Sequence, residues 1–307
     1  MRRNDFKVIN PFVDWSFKYL FGREESKELL IGLINIVLEP RERIVDLTYL
    51  STEVVPETEE MRRSVFDVLC RDENGDEFIV EMQNGPYPNM ADRLVYYASR
   101  LIDRQGVRGK DWKYEINKVM TICIMNYSIA GLDEVRSDVK LLVEGSGKVF
   151  SDKMRFILLQ VPKLRVEKFE NTQKFYESLL FLLREMQSGM KTAEQLKYEI
   201  LQAKYKKQLE DYYLKLVDMS KHLTPDQQDE YDERLKIYRD SLCYFDYAEY
   251  VKNKGIEEGR AEGRAEGRAE GRAEGVKEIA VNMKRLGFPL DKIAECTKLS
   301  VKEISSL

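Results

Sequence analysis

The sequence predicts a mixed α/β core followed by a helical annex, the core running helix, strand, two-stranded hairpin, helix, strand. Three observations carry this. Two apolar runs rich in strand formers, SVFDVLC at 64–70 and EFIVEMQ at 77–83, flank a turn signal with Asn74-Gly75, a strong cue for a β-hairpin. Segments with helical spacing of apolar residues stand before and after the hairpin. From Phe169 to Tyr250 the chain becomes long-sided, charged and helical in pattern.

Each element has its own signal. Phe12–Phe21 (FVDWSFKYLF) reads as a short helix closed by Gly22, with Asp14 and Lys18 four apart on one face. Glu24–Leu38 carries an apolar stripe, Leu29, Leu30, Leu33, Ile34 and Val37, and stops at Pro40. Ile44–Thr52 alternates like a strand and leads into a polar loop over Pro56–Glu60. After the hairpin, Pro86 and Pro88 precede a helix over about 89–105, then strands at Lys118–Met125 and Arg155–Val161. In the annex, FYESLLFLLREM has a clear apolar stripe, and Thr224-Pro225 is a good helix start. The lysines of KYEILQAKYKKQL are read as a solvated face.

The expected organisation is a core over 1–168, a helical annex over 169–254, an EGRA repeat over 255–275 and a small helical unit over 276–307. As a helix, the repeat would stack glycine on glycine and arginine on arginine at i, i+4, both unfavourable. It is therefore read as a flexible tether; the other reading is a glycine stripe along which two helices approach. The last unit resembles half of a helix-turn-helix, with Ser300 capping its second helix. Self-association or partner binding is favoured there over DNA reading. The annex either packs on the core or builds a homodimer.

Composition excludes several classes. At 307 residues the chain exceeds an average domain, and 43% hydrophobic residues suffice for a core. A formal net charge of −4 argues against a wholly basic nucleic-acid binder and leaves room for a local basic groove. Four cysteines, Cys70, Cys123, Cys243 and Cys296, lie far apart without a CxxC pair, which fits reduced thiols in a cytosolic protein. A single histidine, His222, removes most histidine catalysis and most transition-metal sites. No apolar run is long enough to span a bilayer, and MRRNDFKVINPF lacks a signal-peptide core. The expected compartment is the cytoplasm, with no membrane partner.

The chemistry-bearing residues sit on the hairpin. Strands this apolar are normally covered on both faces, so a carboxylate within one is costly unless paired or bound to a cation. Asp67 lies on the first strand, Glu81 and Gln83 on the second. An odd-numbered loop places Asp67 opposite Glu81 and gathers Val65, Asp67, Leu69, Ile79, Glu81 and Gln83 on one face, with Phe66 on the other; an even loop separates the acids. The odd loop is favoured, because two close carboxylates suit a hard divalent cation. The bland alternative is a pair of acids at a sheet end, facing water or Arg62 and Arg63. On the following helix Arg93, Arg100 and Arg104 lie at i, i+7 and i+11, with Arg108 beyond. That stripe is either a solvated face or a row of guanidinium groups for phosphates. Tyr96 and Tyr97 belong to the core or to the cleft.

Asp67, then Glu81-Met82-Gln83, in this order of elements resembles the PD-(D/E)XK nuclease superfamily, and more closely its Rpn group of recombination-promoting nucleases. DWSFKYLFG at 14–22, FDVLC at 66–70, FIVEMQ at 78–83 and DRLVYYASRLI at 92–102 strengthen the likeness, which covers roughly the first half of the chain. The EG-rich tract and terminal unit are also typical. The resemblance implies a restriction-endonuclease-like αβββαβ core and a metal-dependent DNA endonuclease linked to recombination or mobile elements. It implies Mg2+ (or Mn2+) held by Asp67, Glu81 and the backbone carbonyl of Met82, with Asp14 as a further acid. Such an ion stabilises charge on the phosphate and acidifies a bound water. Gln83 departs from the lysine usual there: an amide orients water without adding charge, leaving Lys18 or Arg93 to supply it. The competing readings are a nuclease-derived module that binds DNA or regulates a partner without cutting, and an oligomeric scaffold.

Overall fold

The five residues 72–76, between the paired Arg71 and Glu77, set the register of the central hairpin. In the computed structural model, which describes residues 6–307 except 39, 55–63, 88, 108, 110 and 111, strands β4 (Val68–Asp72) and β5 (Glu77–Gln83) pair antiparallel with Arg71 opposite Glu77 and Leu69 opposite Ile79. The Asp72 carboxylate closes the loop by accepting from the backbone N–H groups of Asn74 (2.9 Å) and Asp76 (2.8 Å), the local side-chain turn expected of Asp. Gly75 has φ +86°, and a Cβ there would meet the Asn117 amide at 2.7 Å, so glycine is required twice over. The loop expected over Pro56–Glu60, and Arg62, Arg63, Pro88 and Arg108, lie outside the described residues.

Helices α1 (Asp14–Phe21) and α2 (Lys27–Val37) lead to β1 (Leu47–Tyr49), which pairs with β4. A short ribbon of β2 (Glu53–Val54) and β3 (Ser64–Val65) stands apart. Beyond β5, helix α3 (Met90–Asp103) crosses to β6 (Val119–Met125), which lies parallel to β5. A parallel neighbour demands such a crossover. The sheet has six strands in the order β1-β4-β5-β6-β8-β7. Strands β7 (Arg136–Leu142) and β8 (Val149–Gln160) form a second hairpin, of which the sequence signalled only the end of β8. Its turn holds Gly145 and Gly147 at positive φ; β7 has no buried residue, so it lacked the apolar signal of a covered strand.

Under α3 lies a core of Leu94, Ala98 and Leu101 against Leu69, Ile79, Val119 and Cys123, closed on β8 by Phe156 and Leu158. Phe66 joins that core. This corrects the expected alternation: the chain leaves strand geometry at Phe66 and Asp67, between β3 and β4, so Phe66 turns to the same side as Leu69.

The chain divides into two compact units, one running to Asp240 and the other Ser241–Leu307. In the first, the annex helices α4 (Phe175–Ser188), α5 (Ala193–Ile200) and α6 (Lys206–Lys221) include α4 and α6 packed on α2. A Cβ at Gly32 would meet the Tyr212 ring at 2.9 Å. The backbone N–H of Asn10 donates to Tyr231 Oη (2.9 Å) on α7 (Pro225–Arg285). The annex thus packs on the core, and the homodimer expected as its other use finds no support in that packing. No helix among the described residues is long and apolar enough to cross a membrane.

The EGRA repeat is helical within α7, not the expected tether. Alanine, glutamate and arginine are among the best helix formers, and helical sequence on both sides removes the nucleation step that makes an isolated helix marginal. In the second unit, α8 (Leu290–Thr297) and α9 (Val301–Ser306) pack around Ala280, Ile293 and Ile304. Ser300 caps α9 as expected, accepting from the Glu303 N–H (3.2 Å).

Candidate active site

Extending the hairpin register beyond Val68 opposite Val80 brings Asp67 level with Glu81, and hydrogen bonds fix them there. The Asp67 N–H donates to Glu81 Oε1 (3.4 Å), and the Met82 N–H donates to Asp67 Oδ2 (3.0 Å). Each acid is thus tied to the other's strand. Gln83 extends the group on the same face, its amide donating to Glu81 Oε2 (2.8 Å). Asp67, Glu81 and Gln83 therefore come together.

Burial and crowding decide the charge state. Burial pushes the Glu81 carboxyl up, and the neighbouring Asp67 adds to the rise, to about 8. Asp67 is also raised, first by burial and then by the charge of Asp14, against the pull of the Met82 N–H. Two carboxylates that resist losing their protons mark a place where burial and crowding outweigh the described cations around them.

Among the described residues the nearest cation is Arg93, whose guanidinium stands 3.6 Å from Glu81 Oε2. It lies over the rings of Tyr87 (4.9 Å) and Tyr97 (5.1 Å), and its Nε donates to Tyr97 Oη (3.1 Å). Tyr97 in turn meets Phe66 edge-on at 5.0 Å. Sequence reasoning singled out Arg93 but not the rings that hold it. The sequence does not decide between core and cleft for Tyr97, and the four-residue spacing of Arg93 and Tyr97 on a helix is the available signal.

The other expected residues are distributed differently. Asp14 and Lys18 pair with each other at 2.9 Å on the exposed side of α1; both act on Asp67 through their charge. Arg104 turns to Glu77, at the opposite end of β5, its Nη2 donating at 2.8 Å. Arg100 faces Asp103 at 3.8 Å. The three arginines share a helix face, but each has a carboxylate neighbour, and they do not form an open row. Glu77, which the sequence reading left out, is held on its other side by Arg71 (2.7 Å).

Among the described residues, no group of three or more Asp, Glu, His or Cys side chains is gathered to hold an ion. The two acids brought together, Asp67 and Glu81, offer hard oxygen atoms in a buried, crowded setting. That suits a cation such as Mg2+, which takes one or two carboxylates and completes its shell with water and substrate phosphate. The residues fit the group.

A family model described as PD-(D/E)XK nuclease family transposase matches residues 11–248. No curated protein and no solved structure matches the chain.

Proposed function

We propose, from the premise that this chain belongs to the PD-(D/E)XK nuclease family of transposases, that it is a metal-dependent endonuclease hydrolysing phosphodiester bonds in DNA. The observation that carries this reading is the mutual placement of half-buried Asp67, just ahead of β4, and buried Glu81 on β5, joined by backbone hydrogen bonds and with both carboxyls raised. A divalent cation, Mg2+ or Mn2+, bound by these two acids would neutralise charge on the scissile phosphate and acidify an attacking water.

The remaining roles belong to the protein's own groups. The Met82 N–H holds Asp67, and the Gln83 amide holds Glu81, so both carboxylates are oriented before anything binds. Gln83 brings no charge to the position where lysine is usual. Arg93, fixed between Tyr87 and Tyr97 and 3.6 Å from Glu81, is the cation we assign to that task. Asp14 and Lys18 neutralise each other, and we assign them to the field around Asp67 rather than to the ligand set. Arg104 is assigned to holding Glu77.

Cleavage of supercoiled plasmid by the full chain in Mg2+ or Mn2+, against EDTA, tests the reading. Asp67→Ala and Glu81→Ala are expected to lose more than the about 10- to 100-fold typical of removing a group one step behind a metal ligand. Cleavage unchanged in both variants would refute it. Salt-sensitive DNA binding with no cleavage under either metal would move the protein to the binding-module reading. The link to recombination or mobile elements is tested by recombination frequency in cells carrying wild type or Glu81→Ala; equal frequencies would remove it.

A further inference from the structure

A duplex is held mainly through its phosphates, by lysines and arginines facing the backbone. The arginine row of α3 is poorly placed for that. Arg93 faces Glu81 (3.6 Å), Arg100 faces Asp103 (3.8 Å), and Arg104 faces Glu77 (2.8 Å). What surrounds Arg93, the guanidinium beside the acid pair, is aromatic. The Arg93 guanidinium lies over Tyr87 at 4.9 Å and over Tyr97 at 5.1 Å, and Tyr97 neighbours Tyr96 with ring centres 6.4 Å apart. The inner ring, Tyr97, is packed against Phe66. The outer two reach the surface: Tyr87 is 44% exposed and Tyr96 38%.

Surface rings beside an arginine are the equipment with which proteins hold nucleotides whose bases are not already stacked in a helix. In a duplex the base faces cover one another and cannot reach such rings. Among the described residues few open cations stand at the acid pair, so stacking is the larger available source of affinity, and it selects for unpaired bases.

We infer that the substrate of this site, on the nuclease reading given above, is DNA with unpaired nucleotides, whose bases stack on Tyr87 and Tyr96 at the mouth of the Asp67–Glu81 pair. The inference rests on that reading for its chemistry but not for its binding mode. The two fail separately.

The test uses the full chain and one labelled DNA sequence, presented as a single strand and as a blunt duplex. In Mg2+, kcat/KM is expected to favour the single strand. Tyr87→Ala and Tyr96→Ala are expected to raise KM for it by about tenfold or more, the effect of losing one base–aromatic stack, with a smaller change in kcat; Tyr87→Phe and Tyr96→Phe should restore it. Tyr87→Ala also removes a ring from beneath Arg93. Tyr96→Ala, one ring further out, separates lost stacking from a displaced arginine. Equal kcat/KM on the two forms, or alanine variants that keep the preference, would overturn the inference and leave the nuclease reading standing. If neither form is cut, the nuclease reading fails, and fluorescence anisotropy in EDTA decides the binding mode. Single-strand affinity that drops in both alanine variants and recovers in both phenylalanine variants supports stacking; affinity indifferent to these substitutions overturns it.

Discussion

Glu77 and Glu81 lie four residues apart on one strand, and each is 1% exposed. They differ in what faces them. Glu77 has two guanidinium groups, Arg71 at 2.7 Å and Arg104 at 2.8 Å, on separate oxygens. Glu81 has a second acid, Asp67, at its side, a neutral amide on one oxygen, and an arginine at 3.6 Å. Among the described residues, two guanidinium groups contact Glu77, whereas Glu81 lies beside a second acid with one guanidinium within ion-pair distance. Burial does not distinguish these two acids; the charged groups described beside each do. A buried carboxylate surrounded by fixed cations is complete, whereas one short of them is prepared for a cation from outside.

The largest effect that would break this contrast is on stability. Replacing both Arg71 and Arg104 by alanine leaves Glu77 buried and uncompensated. Such loss typically costs about 3–5 kcal/mol, and the low end is expected here because half-exposed Arg71 marks some access of water. Urea unfolding at unchanged slope measures it. Adding Glu77→Gln to the double variant should recover part of the loss. A double variant as stable as wild type would show that Glu77 does not depend on its arginines.

Glu81→Gln should give the opposite signature. Cleavage is expected to fall by more than about 100-fold, roughly 2.7 kcal/mol in the barrier. Stability in EDTA near pH 8 should hold or rise, because the substitution removes one of two crowded buried charges. A variant that loses activity and stability together would place Glu81 with Glu77 as a structural acid.

The hairpin half of this contrast was legible in the sequence because it rests on short-range rules. Asn74-Gly75 fixed the turn, the apolar runs fixed the strands, and an odd loop followed once the two acids were required to meet. The role of Glu77 was not legible: it begins the second strand run beside the turn, and only α3 folding back along β5 delivers Arg104 to it. The same long-range step gave Arg93 and Arg104 carboxylate partners on β5, while Arg100 meets Asp103 within its own helix. Phe66 was misplaced because strict alternation assumes an unbroken strand. The break between β3 and β4 is held from a distance in sequence, by the carbonyl of Thr52, just ahead of β2, accepting from the Phe66 N–H. In the repeat, propensity counted residue by residue underweighted the helical sequence on both sides.

A smaller effect follows from the sign of the Glu81 shift. Its carboxyl is raised in the folded protein, to about 8, so the folded state holds a proton that the unfolded chain has already released. In EDTA that contribution is fully present below the ordinary glutamate range and is lost as pH rises toward about 8, with a slope of at most about 1.4 kcal/mol per pH unit from this one group. Mg2+ should restore stability most near pH 8, where the carboxylate is free to bind it. Thermal unfolding in EDTA and in Mg2+ across that range measures both. A stability profile identical in wild type and Glu81→Gln would remove Glu81 as the source.

The smallest expected change sharpens the contrast from the other side, by giving Glu81 part of what Glu77 has. Gln83→Lys puts an ammonium where the amide now donates to Glu81 Oε2 at 2.8 Å, and a positive neighbour favours the charged form of a carboxylate. The pH at which cleavage is half-maximal should therefore fall. At neutral pH the rate should rise, by less than about tenfold, since Arg93 already stands 3.6 Å away and the new cation also opposes metal binding. Metal titration of cleavage should accordingly need more Mg2+ for half-maximal rate. A pH–rate profile left in place by Gln83→Lys would mean that the proton limiting cleavage does not sit on Glu81, and the charge balance drawn between the two glutamates would then describe the fold but not the chemistry.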